Sequence, residues 1–105
     1  MIEVKSLFDI VNKDDTKVTI ALSNKNHPIF QAHFPNDHLL PGFCHIDILA
    51  DILKDTITKV NLLKLKRKTL PEDIISYEIV TSGNKRKVKI LNTQNQIIGN
   101  FSYEF

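Results

Sequence analysis

The sequence contains no tryptophan, one methionine, one cysteine and three glycines among its 105 residues. A core without Trp must be built from Ile, Leu, Val and Phe, and a hydrophobic content of 42% is enough for a folded globular domain rather than a disordered chain. Cys44 has no second cysteine with which to form an internal disulfide. No apolar run approaches about 18 residues, so no segment is expected to span a membrane.

The excess of positive over negative charge is small. The N-terminal segment carries charges where a signal peptide would be apolar. Glu3, Lys5 and Asp9 interrupt that segment, which predicts a cytoplasmic protein. The net charge of +2 does not favour nucleic acid. Most of the excess lies at residues 64–68 and 84–89, which suit either an acidic partner or the solvated faces of edge strands. The length predicts a single domain, 1–105, whose limited core would gain from self-association.

The hydrophobic pattern predicts an α+β fold. Alternation over residues 1–23 indicates two strands, residues 24–40 have no period and read as a long loop, and residues 43–57 are apolar on nearly every side of a helix. Further strands are predicted at 60–65, 74–81, 87–92 and 96–105. A sheet of about five to six antiparallel strands must then wrap one long buried helix, because nothing else could cover it. This is the hot-dog arrangement.

The segment from His33 to Ala50, HFPNDHLLPGFCHIDILA, carries a resemblance to a known family. It resembles the active-site segment of the 3-hydroxyacyl-acyl-carrier-protein dehydratases of fatty acid synthesis. The aligned residues are Ala32, His33, Phe34, Pro35, Pro41, Gly42 and Asp47, all but Ala32 matching, with the same spacing between the histidine and the acid. Residues 64–73, KLKRKTLPED, are also similar to a strand of that family. The resemblance implies a dehydratase of fatty acid or related specialised acyl-chain biosynthesis.

Several positions depart from the family pattern. They are Ala32 for a usual Gly, His38 for a frequent Pro, Asp51 for a frequent Gln, Lys68 for a usual Pro and Glu72 for a usual Gly. Short members of the family with such changes include accessory dehydratases of specialised acyl pathways. The resemblance therefore implies a short, divergent member.

The chemistry explains why these residue types are needed. Dehydration of a 3-hydroxyacyl thioester requires a base at C2, an acid at the C3 hydroxyl and donors for the thioester oxygen. By resemblance, His33 is the base and Asp47 the acid, and the apolar neighbours of Asp47 should raise its pKa. Pro41 and Gly42 would begin the helix, where free N–H groups face the substrate. Phe43 and Phe34 complete the expected substrate-binding set.

The remaining histidines and the cysteine are predicted to be structural. His27, His38 and His45 match no common zinc spacing, so no metal is expected. Cys44 reads as a small buried hydrophobe, because no base is placed beside it. Phe30 suits an acyl tunnel and a packed core equally well. No cofactor is expected beyond the phosphopantetheine that delivers the substrate.

The resemblance also implies partners. It predicts a homodimer, or a higher oligomer of dimers, in which His33 of one chain faces Asp47 of the other. The acidic acyl carrier protein would use a basic carrier-binding set, Lys64, Lys66, Arg67 and Lys68. Two alternatives stay open: a hot-dog thioesterase that hydrolyses the thioester, and a non-catalytic partner that binds the carrier or thioester without turnover. Binding of nucleic acid through the basic clusters is a weaker alternative.

Overall fold

The computed structural model describes residues 6–32 and 36–105, and within these ranges the chain forms six strands and two helices. The strands are β1 (Phe8–Lys13), β2 (Lys17–Leu22), β3 (Lys59–Leu65), β4 (Ile74–Ser82), β5 (Lys85–Leu91) and β6 (Ile97–Glu104). The helices are α1 (Pro28–Ala32) and α2 (Gly42–Leu53). In the described ranges, no helix is both long enough and apolar enough to cross a membrane.

The strands form one antiparallel sheet in the order β1-β2-β4-β5-β6-β3. Its inner face is set by cross-strand partners that are apolar and buried, such as Ile79 opposite Val88 and Val88 opposite Phe101. Lysines alternate with these residues along β5 and lie on the outer face. The alternation that predicted the strands therefore also predicted which face of the sheet covers the core.

Helix α2 lies against the inner face of the sheet and is buried on most of its surface, as expected. Its end was predicted wrongly: the apolar pattern runs to Ile57, but the helix stops at Leu53 and has 12 residues. Lys54 takes the left-handed conformation, with φ 58°, and the N–H of Asp55 donates to the carbonyl oxygen of Ala50 at 2.9 Å. This is a Schellman-type end, so the long helix of the prediction is in fact short.

The predicted loop at residues 24–40 contains α1, which the sequence did not indicate. The side chain of Asn24 accepts a hydrogen bond from the N–H of Asn26 at 2.9 Å, and His27 Nδ1 accepts one from the N–H of Ile29 at 3.1 Å. These bonds begin the short helix. Phe30 on α1 is fully buried in the hydrophobic core.

Strand β3 closes one edge of the sheet and is exposed along its whole length. Its apolar side chains are between 39% and 50% exposed, namely Val60, Leu62, Leu63 and Leu65. A bulge at Asn61 shifts its register with β6. An apolar edge strand with a free row of N–H and C=O groups is a surface that natural proteins normally cover or guard with charge.

Candidate active site

Asp47 lies in the middle of α2 and is half-buried. Its neighbours along the helix, Ile46 and Ile48, are at most 4% exposed. Burial raises the pKa of the Asp47 carboxyl above its usual range, as its apolar surroundings predicted. Among the described residues, none pairs with this carboxyl through a hydrogen bond or an ion pair. The group therefore has the environment of a carboxylic acid that keeps its proton more readily than a surface aspartate.

Two other residues of α2 show how local this environment is. Asp51, one turn further along, is exposed to solvent. Cys44 is fully buried, and burial together with the nearby charge of Asp47 raises the pKa of its thiol to about 12. A thiol with this pKa holds almost no thiolate near neutral pH, so Cys44 is unsuited to nucleophilic chemistry.

Helix α2 begins at the Pro41–Gly42 pair, as predicted. Pro41 is the N-cap residue, with φ −58° and ψ 143°, and its carbonyl oxygen accepts a hydrogen bond from the N–H of Cys44 at 3.0 Å. Across the ranges that the structure describes, no protein group accepts a hydrogen bond from the N–H of Gly42 or Phe43. These two donors, at the positive end of the helix dipole, have the character of an oxyanion site.

A cavity of about 280 Å³ opens beside Gly42. Its walls come from the chain before α2 and from the end of β3 with the segment that follows it: Leu39, Leu40, Gly42, Leu65, Lys66, Arg67, Lys68 and Thr69. Two other depressions, of about 380 and 400 Å³, are larger but do not border Gly42, and Asp47 lines none of the three. We therefore place the candidate substrate entrance at the smaller cavity.

Gly42 has a packing role that the sequence did not indicate. A Cβ atom at this position would lie 2.8 Å from Cδ1 of Leu65 and 3.4 Å from Cδ2 of Leu63. The missing side chain thus lets β3 approach the start of α2. The sequence interpretation gave the space beside Gly42 to a thioester, whereas in this structure Leu65 fills part of it.

The structure divides the predicted carrier-binding residues into two groups. Lys66, Arg67 and Lys68 are exposed and border the Gly42 cavity. Lys64 is opposite Asn100 in the sheet and, by strand alternation, lies on the outer face away from that cavity. The first group therefore shares a surface with the candidate entrance, and Lys64 does not.

His45 occupies a position that sequence reasoning left without a specific partner. Its ring is fully buried and lies between the hydroxyl groups of Tyr77 and Thr69. A polar residue within the apolar run of α2 was the only available signal. His38 Nδ1 is 2.8 Å from the carbonyl oxygen of Phe30 and so contacts α1. Among the described residues, no group of side chains is arranged to hold a metal ion.

His33, the predicted base, and Phe34, a predicted substrate contact, lie outside the described residues. Their roles therefore stay predictions. The described part of the segment contains Asp47, the predicted acid, together with the start of the helix and the cavity between α2 and β3.

Comparison with known proteins identifies the family. Residues 10–101 match the sequence model of the ApeI-like family, described as ApeI dehydratase. The chain belongs to this ApeI-like dehydratase family. No curated protein matches it in sequence. The match confirms the resemblance to hot-dog dehydratases.

Solved structures similar to this ApeI-like chain confirm the hot-dog fold. The dehydratase heterocomplex ApeI:P from Xenorhabdus doucetiae matches with a TM-score of 0.73 at 14% identity, covering 92% of this chain and 96% of that one. The E. coli PaaI protein from the phenylacetic acid degradation operon matches with a TM-score of 0.61 at 11% identity, covering 97% and 86%. The smu.793 protein from Streptococcus mutans, bound to acetyl CoA, matches with a TM-score of 0.54 at 17% identity, covering 97% and 89%.

Proposed function

We propose that this protein is a dehydratase that removes water from 3-hydroxyacyl thioesters carried on acyl carrier protein, in fatty acid or related specialised acyl-chain biosynthesis. The observation that carries the proposal is the half-buried Asp47, with its raised pKa, on the helix whose N-terminus borders the Gly42 cavity. A protonated carboxyl can assist the C3 hydroxyl as it leaves as water. The N–H groups of Gly42 and Phe43 would receive charge on the thioester oxygen.

His33 completes the proposed mechanism as the base that removes a proton from C2. We further propose that the working pair is shared, with His33 of one chain acting beside Asp47 of a second. The exposed apolar edge of β3 supports assembly, because its N–H and C=O groups and its side chains gain a partner when two edges meet. A homodimer through this edge would extend the sheet across both chains.

The experiment mixes two inactive variants, His33→Ala and Asp47→Asn, co-expressed with different tags and purified as hybrid dimers. A shared site leaves one intact site of two in each hybrid, so the hybrid should regain about half of the wild-type dehydration rate when each parent has almost none. The matched control pairs His33→Ala with the double variant His33→Ala/Asp47→Asn, where no intact site can form. No loss of water from any carrier-bound 3-hydroxyacyl chain by the wild type would refute the proposed activity.

The carrier is proposed from charge. Lys66, Arg67 and Lys68 stand at the cavity that a phosphopantetheine arm would enter, and an acidic carrier would be attracted to them. Reversing the charge of Arg67 with Arg67→Glu should raise the KM for a carrier-bound substrate by about tenfold and change that for a short pantetheine thioester less. Lys87→Glu, on the outer face of β5, is the control and should have little effect on either.

Thioester hydrolysis is the alternative activity that the same assay would detect, and one observation favours it as the second candidate. The similar S. mutans protein is bound to acetyl CoA, which is itself an acyl thioester. Release of free thiol without loss of the 3-hydroxyl group would decide for hydrolysis. Binding of the carrier without either product would indicate a non-catalytic partner.

A further inference from the structure

The buried imidazole of His45 joins α2 to two other parts of the chain. Its Nδ1 is 2.9 Å from the hydroxyl oxygen of Tyr77 on β4, and its Nε2 is 3.2 Å from Oγ1 of Thr69 in the segment after β3. Neutral imidazole has one donor and one acceptor nitrogen, and each hydroxyl group can take either role, so both bonds form in either tautomer. None of the mechanism described above uses this group.

The Thr69 side of this network belongs to the wall of the Gly42 cavity. Thr69 and Leu40 both line the cavity. The carbonyl oxygen of Thr69 accepts a hydrogen bond from the N–H of Leu40 at 2.8 Å, which ties the chain before α2 to the segment after β3. Leu40 and Thr69 are each 2% exposed. His45 thus contacts, through one residue, two of the segments that shape the candidate entrance.

The start of α2 has little else to fix it. Pro41 is the N-cap residue and carries no side-chain acceptor, and within the described ranges no other side chain caps the first turn. His45 is three residues after Gly42, so it is the first polar side chain of α2 that could anchor this turn to the rest of the fold. The Tyr77 bond provides the anchor in the core, and the Thr69 bond extends it to the cavity wall.

We propose that His45 is a positioning residue for the thioester pocket. It acts through Thr69, and through the bond from Thr69 to Leu40, to hold the cavity wall at a fixed distance from the free N–H groups of Gly42 and Phe43. The expected effect of His45 on turnover rests on the proposed function, whereas its effect on the cavity wall does not. A wall that moves relative to these donors misplaces the thioester carbonyl, and small displacements are costly to catalysis.

Two matched substitutions test the proposal. Tyr77→Phe and Thr69→Val each remove one of the two hydroxyl groups that form hydrogen bonds with the imidazole of His45. Both variants should lose some stability, but only Thr69→Val removes the hydrogen bond that connects His45 to the wall of the Gly42 cavity. We expect Thr69→Val to lower kcat/KM for a 3-hydroxyacyl thioester by about tenfold, mainly through kcat, because the thioester carbonyl is misplaced relative to its donors. Tyr77→Phe should stay within about twofold of the wild type. Equal losses of kcat/KM in the two variants would overturn the proposal.

A double variant separates positioning from direct contact of Thr69 with substrate. His45→Leu should reproduce the loss seen in Thr69→Val, and His45→Leu/Thr69→Val should be no worse than either alone, because both changes break the same bond. Losses that multiply in the double variant would mean that the two residues act independently, and would refute the proposed action of His45 through Thr69.

Amide hydrogen exchange gives a readout that does not depend on turnover. Exchange at the Leu40 N–H should be about tenfold faster in Thr69→Val and His45→Leu than in the wild type and unchanged in Tyr77→Phe, because only the first two loosen the wall. If the wild type dehydrates no thioester, the proposed function fails and the exchange rates still decide the inference. Unchanged exchange at Leu40 in folded Thr69→Val would overturn it.

Discussion

The carboxylate of Asp55, two residues beyond the end of α2, holds that end of the helix against the sheet. Arg86 of β5 donates two hydrogen bonds to it, Nε to Oδ2 at 2.8 Å and Nη2 to Oδ1 at 2.9 Å, and the hydroxyl group of Tyr103 donates a third. Arg86 also lies over the ring of Phe105, with Cζ 4.3 Å from the centroid. We predict that Asp55→Asn, which keeps the shape and removes the charge, destabilises the fold severely.

The magnitude follows from burial. The side chain of Asp55 is 5% exposed and that of Arg86 is 17% exposed. Hydrogen bonds to charged groups contribute about 1.5–3 kcal/mol each, and removing one partner of a buried ion pair costs about 3–5 kcal/mol. Because Arg86 keeps some access to water, we expect the lower end, about 3 kcal/mol. For a domain of this length that loss lowers the Tm by about 12–24 °C.

Urea denaturation at pH 7 measures this loss. The matched control is Asp51→Asn, which changes the same group to the same amide on the exposed surface of α2 and should stay within about 0.5 kcal/mol of the wild type. If Asp55→Asn also stays within about 0.5 kcal/mol, the ion pair does not hold the helix end and the reasoning is wrong.

The acid side of the stability curve gives a second test of the same group. Burial alone would raise the pKa of Asp55, but the hydrogen bonds from Arg86 and Tyr103 outweigh it and the pKa is lowered. Since the folded-state pKa lies below the unfolded value, the contribution is complete at neutral pH and is lost as the pH falls from about 4 through the folded-state pKa. Asp55→Asn should remove this part of the acid limb.

Three further predictions concern the helix and the sheet edge. Asp47→Asn should abolish dehydration. It should also raise the free energy of unfolding at pH 7 by about 1 kcal/mol or less, because ionisation of a carboxyl with a raised pKa costs stability. This gain should shrink toward pH 4, where the carboxyl of the wild type is protonated more often. Burial lowers the pKa of His45 to about 4, so the free energy of unfolding should fall by about 3 kcal/mol between pH 6.5 and 4. This fall should be absent from urea denaturation of His45→Gln. Gly99→Ala should lower the free energy of unfolding in urea by more than about 2 kcal/mol, because its Cβ would lie 2.3 Å from the backbone oxygen of Lys64. In Gly42→Ala the Cβ meets the flexible end of a side chain, so the loss should be about 1 kcal/mol. Equal losses would contradict the packing described.

Much of the fold could be predicted because its signals are local. Period-two alternation and turn signals located the six strands of the described ranges within a few residues, and the continuous apolar run from Phe43 located the buried helix. The environment of Asp47 was predicted in the same way, since its apolar neighbours are adjacent in sequence. Its raised pKa needed no knowledge of distant residues.

The features that could not be predicted depend on residues far apart in the chain. The segment after α2 is held against the sheet by the pairing of Asp55 with Arg86, 31 residues away. His45 finds Tyr77 at a separation of 32 residues. No periodicity in α2 identifies either partner, because a helical pattern records which side is buried and not what covers it.

The strand order has a consequence for synthesis on the ribosome. β3 ends at Leu65, but its partner in the sheet is β6, which begins only at Ile97. Until β6 emerges, β3 has no neighbour, and until β4 and β5 emerge, most of the inner face that covers α2 does not exist. A pause in translation before β6 has emerged would therefore prolong the exposure of α2, and chaperones should bind most strongly to nascent chains that do not yet expose β6.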